Sequence, residues 1–130
     1  MIMKLPILKA RIKRNNLEDY AGNYFRDETS IIVNTLNENG KEALVGIQNE
    51  DGIYTILGRD AVYYSTKSGA NGEIPLAVFS TILSANGISK GKVAAFEYVK
   101  VNEENELIWL HNRSTMESLW NIVLLLESYS

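Results

Sequence analysis

Two short stretches, NENG at residues 37–40 and NEDG at residues 49–52, constrain this chain more than any other feature. Each is rich in Asn and acidic residues and ends in glycine, which takes positive φ without steric cost. Apolar and β-branched segments surround them: Thr29 to Leu36, Glu42 to Gln48 and Ile53 to Leu57. Turns of this composition between such segments predict an antiparallel meander of three strands. Ala61 to Ser65 extends that sheet or forms its edge.

Beyond the meander the pattern changes period. STKSGANGE, residues 65–73, reads as a loop. Its lysine and glycines invite comparison with a phosphate cradle, but Lys67 precedes the glycines and Glu73 stands where an anion would bind. Pro75 suits the first turn of a helix, where its missing N–H costs nothing. Leu76, Phe79 and Leu83 then recur at helical spacing, widened by Val78 and Ile82, and Asn86-Gly87 predicts the stop. Val93 to Val101 and Glu106 to His111 read as a strand pair turned by NEEN, with apolar residues on both faces. Ser114 with Glu117 predicts a capping box opening a helix to about Ser128. On that helix Met116, Leu119, Trp120, Val123 and Leu126 form a stripe, with Ile122 and Leu125 beside it. The stripe is broader than one sheet contact needs, so part of it is available to a partner.

Residues 1–28 are less decided. Leu8, Ala10 and Ile12 alternate with Lys9, Arg11 and Lys13 at strand period, yet Leu5, Leu8 and Ile12 also fit a helical face. Asn16 can cap a short helix burying Leu17, Tyr20, Ala21 and Tyr24, weakened by Gly22. The resulting fold class is α+β, an antiparallel sheet of about five strands with helices packed on it, in one domain over residues 1–130.

Composition narrows the chemistry. The chain has no cysteine, so thiolate nucleophiles, disulfides and zinc–thiolate sites are excluded. The opening MIMKLPILKARIKRNN has no continuous apolar core and so does not read as a signal peptide. The longest apolar run, Ile122 to Leu126, is far too short to cross a bilayer. These features fit a cytoplasmic protein. Residues 1–16 carry +5 and the remainder −8, for a total of −3. Five basic residues without interleaved aromatics read as a solvated face, and no nucleic-acid partner is expected.

His111 is the only histidine, so neither a multi-histidine metal site nor a second imidazole is available. No G-x-S-x-G elbow is present. NEDGIY lacks the ligand series of a calcium loop, and the paired acids at 50–51 and 103–104 read as hairpin tips. Neither a cofactor nor a metal is expected. A small enzyme built on acids, His111 and one of Tyr20, Tyr24, Tyr63 or Tyr64 would need these groups to converge in a polar cleft.

The stretch FSTILSANGISKGKVAAFEYVKVNEENELIWLHN and the closing TMESLWNIVLLLESY resemble the type III secretion chaperones and the related YbjN-like proteins. The likeness runs over about residues 29–130 and rests on the order of elements and their apolar pattern. It implies a small, acidic, cytosolic bacterial protein without enzymatic activity, usually a homodimer, that holds a client protein on apolar surface. By position it implicates Leu76, Phe79 and Leu83 in a dimer contact, and the apolar surplus at Trp109 and Trp120 suits a partner. An immunity or antitoxin-type protein is the alternative, because an acidic body complements a basic toxin enzyme.

Overall fold

A computed structural model describes residues 4–66, 69–90, 98–100 and 107–129. The undecided opening segment is helical: α1 spans Leu5–Arg14, with Pro6 in its first turn. Its alternation is overruled because Leu8, 1% exposed, and half-buried Ile12 face the interior while Leu5 stays outside. A short helix α2, Leu17–Ala21, follows, with Asn16 in the left-handed region at its start. It buries Leu17 and Ala21, while Tyr20 points to solvent. A 3₁₀ turn over Gly22–Tyr24 leads into the two-residue strand β1, Phe25–Arg26.

The segment expected as the first meander strand is instead a helix, α3, Ile31–Glu38. Asp27 launches it: its carboxylate accepts from the Thr29 amide and hydroxyl, and its carbonyl accepts from the Ser30 amide. That turn sets the chain into helical geometry, and Ile32, Val33 and Leu36 then seat on the sheet together. Tertiary packing overrides the β-propensity of the isoleucines and valine. NENG therefore ends a helix rather than turning a hairpin. Gly40, at φ 87°, carries the chain away. Asn37 ties the two elements, its side chain donating to the Ala43 carbonyl and accepting from the Ala43 amide.

NEDG is the hairpin turn expected. Asn49 Oδ1 accepts from the Asp51 and Ile53 amides and Gly52 takes φ 86°. It joins β2, Ala43–Gln48, to β3, Tyr54–Gly58. β4, Ala61–Ser65, and β5, Asn71–Pro75, complete an antiparallel sheet in the order β1-β2-β3-β4-β5. The stretch expected as the 65–73 loop is thus largely a hairpin, with Ser65 opposite Asn71; Lys67 and Ser68 lie outside the described residues. Pro75 closes β5 rather than opening the helix, since its neighbour Leu76 is the first helical residue.

That helix, α4, runs Leu76–Lys90, so the expected stop at Asn86-Gly87 does not end it. The strand β6, Tyr98–Lys100, pairs with β7, Leu107–Trp109, as a separate two-stranded sheet. The rest of the expected 93–101 strand and the NEEN turn lie outside the described residues. The last helix, α5, covers Arg113–Ser128. Its cap is Asn112, whose side chain accepts from the Thr115 amide at 2.8 Å. Ser114 and Glu117 do not form the expected capping box; Glu117 accepts from Arg113 instead.

Both faces of the large sheet are covered. On one, α1, α2, α4, α5 and the β6–β7 pair enclose Val45, Ile47, Leu57, Val62 and Tyr64. On the other, α3 covers Ala43, Ile56, Ala61 and Tyr63. β2 contributes to both because its register steps from Ala43↔Gly58 to Val45↔Leu57. That bulge at Leu44 turns the strand over, sending Ala43 to one core and Val45 to the other. No helix among the described residues is long and apolar enough to cross a membrane.

Candidate functional site

Most of the side chains expected to meet a partner are committed to the interior. Leu76, Phe79 and Leu83 are 3%, 0% and 1% exposed, and Trp109 is 4% exposed. Burial of the α4 stripe follows from its packing against both α5 and the sheet in one core. Only Trp120 reaches the surface, half-buried, with its indole N–H donating to Ser80 Oγ at 3.2 Å. It lines a shallow groove of about 510 Å³ with Ser80, Thr81, Ser84, Ala85 and Leu124. Leu124 and Val78 are 47% and 44% exposed. The groove is bordered by chain without charge, since residues 76–89 and 118–126 contain no acidic or basic side chain.

A second feature lies elsewhere, where NEDG meets the end of β7. Tyr24, Glu50, Asp51, Ser65, Thr66, Tyr98, Trp109 and His111 line a cleft of about 880 Å³ with Asn49, Gly52, Ile53 and Gly69. Three rings crowd its wall. Tyr24 meets Trp109 edge-on at 5.2 Å and His111 edge-on at 5.0 Å, while Trp109 and His111 are tilted at 5.6 Å. Such edge-to-face contacts set the positive rim of one ring against the negative face of another.

The backbone holds these rings in place from both ends. Thr55, fully buried on β3, donates from Oγ1 to the Trp109 carbonyl at 2.5 Å. Two residues on, the Asn112 amide donates to the Leu110 carbonyl at 2.8 Å, closing a γ-turn with His111 at its centre and φ 69°. Positive φ costs an L-residue about 1 kcal/mol, so the strained turn presents His111 at a fixed angle.

The polar groups divide by role. The Tyr24 hydroxyl donates to Glu50 Oε1 at 3.0 Å. That bond, then the carboxylate's charge, then a smaller burial effect, raise the phenol above its ordinary 10.0. Tyr24 is therefore a neutral donor at physiological pH rather than a base. Glu50 and Asp51 are exposed at the rim. Arg26, near the far side of Glu50, is occupied by Gln48 and by the carbonyls of Asn23 and Phe25. No lysine or arginine lines the cleft among the described residues.

Glu50, Tyr24 and His111 do converge, as an enzyme would require, but the His111 ring engages its neighbours through ring contacts and not through a hydrogen bond among the described residues. Among the described residues no group of three or more His, Asp or Glu gathers as a metal site. The N-terminal basic face is partly engaged internally: Lys9 pairs with Glu28, and Arg11 reaches the Asn121 carbonyl.

Which residues form the cleft was not visible in sequence because its parts come from distant segments. NEDG, read for its turn, and the acids, His111 and tyrosines weighed as enzyme groups were the only pointers, and packing chose Tyr24 and Glu50 among them. The two tryptophans part company as well, Trp109 on the cleft and Trp120 at the α4–α5 groove. Compared with protein-family models, curated proteins and solved structures, the chain matches none.

Proposed function

We propose that the protein is a non-enzymatic, cytoplasmic protein-binding module that pairs with a second copy of itself across the α4–α5 face. The observation that carries this reading is the uncharged groove between the two helices. A two-fold contact sets the same patch against itself, so any net charge there would repel its own image. This patch has none over residues 76–89 and 118–126. Ala77, Thr81 and Ala85 are small and exposed, letting a second helix approach closely, and Val78, Trp120 and Leu124 supply apolar area. The dimer contact then runs through the outer side of α4, while Leu76, Phe79 and Leu83 support it from inside. The likeness to type III secretion chaperones adds that the paired protein holds a client.

Sedimentation equilibrium tests the pairing. The wild type is expected to be a dimer, and Val78→Glu with Leu124→Glu is expected to give a folded monomer. A wild-type monomer at high concentration, or a dimer untouched by both substitutions, would overturn it.

Charge favours a second reading, an immunity or antitoxin-type inhibitor. Residues 17–130 carry −8, which would steer association with a basic enzyme. Inhibition of a basic toxin encoded beside this gene, weakening steeply with salt, is its test.

A further inference from the structure

We propose that the cleft between NEDG and the end of β7 is a binding site for an organic cation, an alkylated ammonium or a guanidinium group. It goes beyond pairing through α4 and α5 and uses none of the same residues.

Three observations on the cleft agree. Its wall is aromatic: half-buried Tyr24, Tyr98 and His111 line it together with Trp109, which is 4% exposed. Ring faces carry negative potential and attract cations, most strongly those with a poorly hydrated, carbon-rich surface. Its fixed charge is acidic, because Glu50 and Asp51 stand at the rim and no lysine or arginine is among the described lining residues. Its geometry is set in advance. Thr55 anchors Trp109, the γ-turn fixes His111, and the Tyr24–Glu50 hydrogen bond locks a ring to a carboxylate. Rings held in place before binding lose little conformational freedom when the ligand arrives.

The combination selects among ligands. A metal ion would need several converging oxygens, which the described residues do not assemble. An anion would meet two carboxylates and no described lysine or arginine. A neutral apolar group would gain the walls but nothing from Glu50 and Asp51. An organic cation uses both: its carbon skirt lies against Tyr24, Tyr98 and His111 while its charge faces the acidic rim. The volume of about 880 Å³ leaves room for more than the charged head. The same chemistry could come from a free quaternary amine or from a basic side chain of a peptide.

The test compares charge at constant shape. Choline and its neutral isostere 3,3-dimethylbutan-1-ol are titrated into the full chain, following the ring protons of His111, the only histidine, by NMR. Choline is expected to bind about tenfold tighter than the isostere. N-acetylarginine amide forms the second arm. Binding tighter than choline points to a peptide side chain, and weaker binding to a free amine. Glu50→Gln, at an exposed position, is expected to weaken choline severalfold and leave the isostere unchanged. Tyr24→Phe keeps the ring and is expected to retain most of the binding, whereas Tyr24→Leu is expected to lose it. Equal affinity for choline and the isostere, no saturable shift with any cation, or full binding by Glu50→Gln and Tyr24→Leu would overturn the proposal.

Discussion

The hydroxyl of Thr55 donates to the carbonyl of Trp109 across 2.5 Å, tying the centre of the large sheet to the end of the small one. Thr55 is fully buried, and among the described residues this is the hydrogen bond shown between β3 and β7. It couples the rigid part of the fold to the wall of the cleft. Thr55→Val, similar in shape, is expected to cost about 1–3 kcal/mol because a buried carbonyl loses its donor. Thr55→Ser keeps the hydroxyl and is expected to cost less. Urea unfolding of the three proteins checks the order, and faster amide exchange at Ile108 and Trp109 in Thr55→Val would locate the effect.

Phe79 and Leu124 separate core from surface on neighbouring helices. Phe79 is fully buried and Leu124 is 47% exposed. Phe79→Ala is expected to lose about 3–5 kcal/mol through lost burial and the cavity left behind. Leu124→Ala is expected to change the unfolding of the monomer by less than about 0.5 kcal/mol. Denaturation at low protein concentration distinguishes them, and comparable losses would contradict the packing described.

Asn112, and not Ser114, caps α5. Asn112→Ala is expected to cost about 1 kcal/mol, the ordinary value for removing an N-cap acceptor. Ser114→Ala is expected to be close to neutral, because its side chain is exposed. Thermal unfolding monitored by circular dichroism reads both; the reverse order would restore the capping box.

Alkali is expected to destabilise the fold. Lys9 and Lys41 are raised above the usual 10.5, first by the hydrogen bonds they donate to Glu28 and Glu73 and then by those carboxylates' charge. Tyr24 is raised above 10.0 by its bond to Glu50, and Tyr54 by burial, which the nearby Lys41 opposes. In each case the folded chain keeps a proton that the unfolded chain gives up first, so stability falls as pH rises through that window. The contribution is fully present below 10.0 for the tyrosines and 10.5 for the lysines, and is lost above their raised values. The urea midpoint should therefore fall as pH rises above about 10. Lys41→Met and Tyr24→Phe should each flatten part of the drop, and high salt should shrink the lysine share. A midpoint that rises over this range would refute the assignment.

Local chemistry was legible wherever neighbouring residues settle the outcome. NEDG turns a hairpin because Asn49 and Gly52 satisfy that turn by themselves. The spacing of Leu76, Phe79 and Leu83 marks a helix because residues three and four apart share one helical side, and α4 is that helix. The α+β class followed from such signals and stands. Ile31 to Leu36 was another matter. Its β-branched residues suit a strand, and only the Asp27 turn and the vacant sheet face over Ile56 and Tyr63 make it a helix.

The sequence by itself determined the hairpin, the apolar stripes, the lack of thiol chemistry and the acidic balance, because these depend on residue type and near spacing. Tertiary structure decided which apolar residues remain outside and which polar ones meet. It buried Leu76, Phe79, Leu83 and Trp109 and left Val78, Leu124 and Trp120 at the surface. It also brought Tyr24, Glu50 and His111 to one cleft from segments far apart. The physical reason is that burial and convergence belong to packing between elements, which no local spacing records.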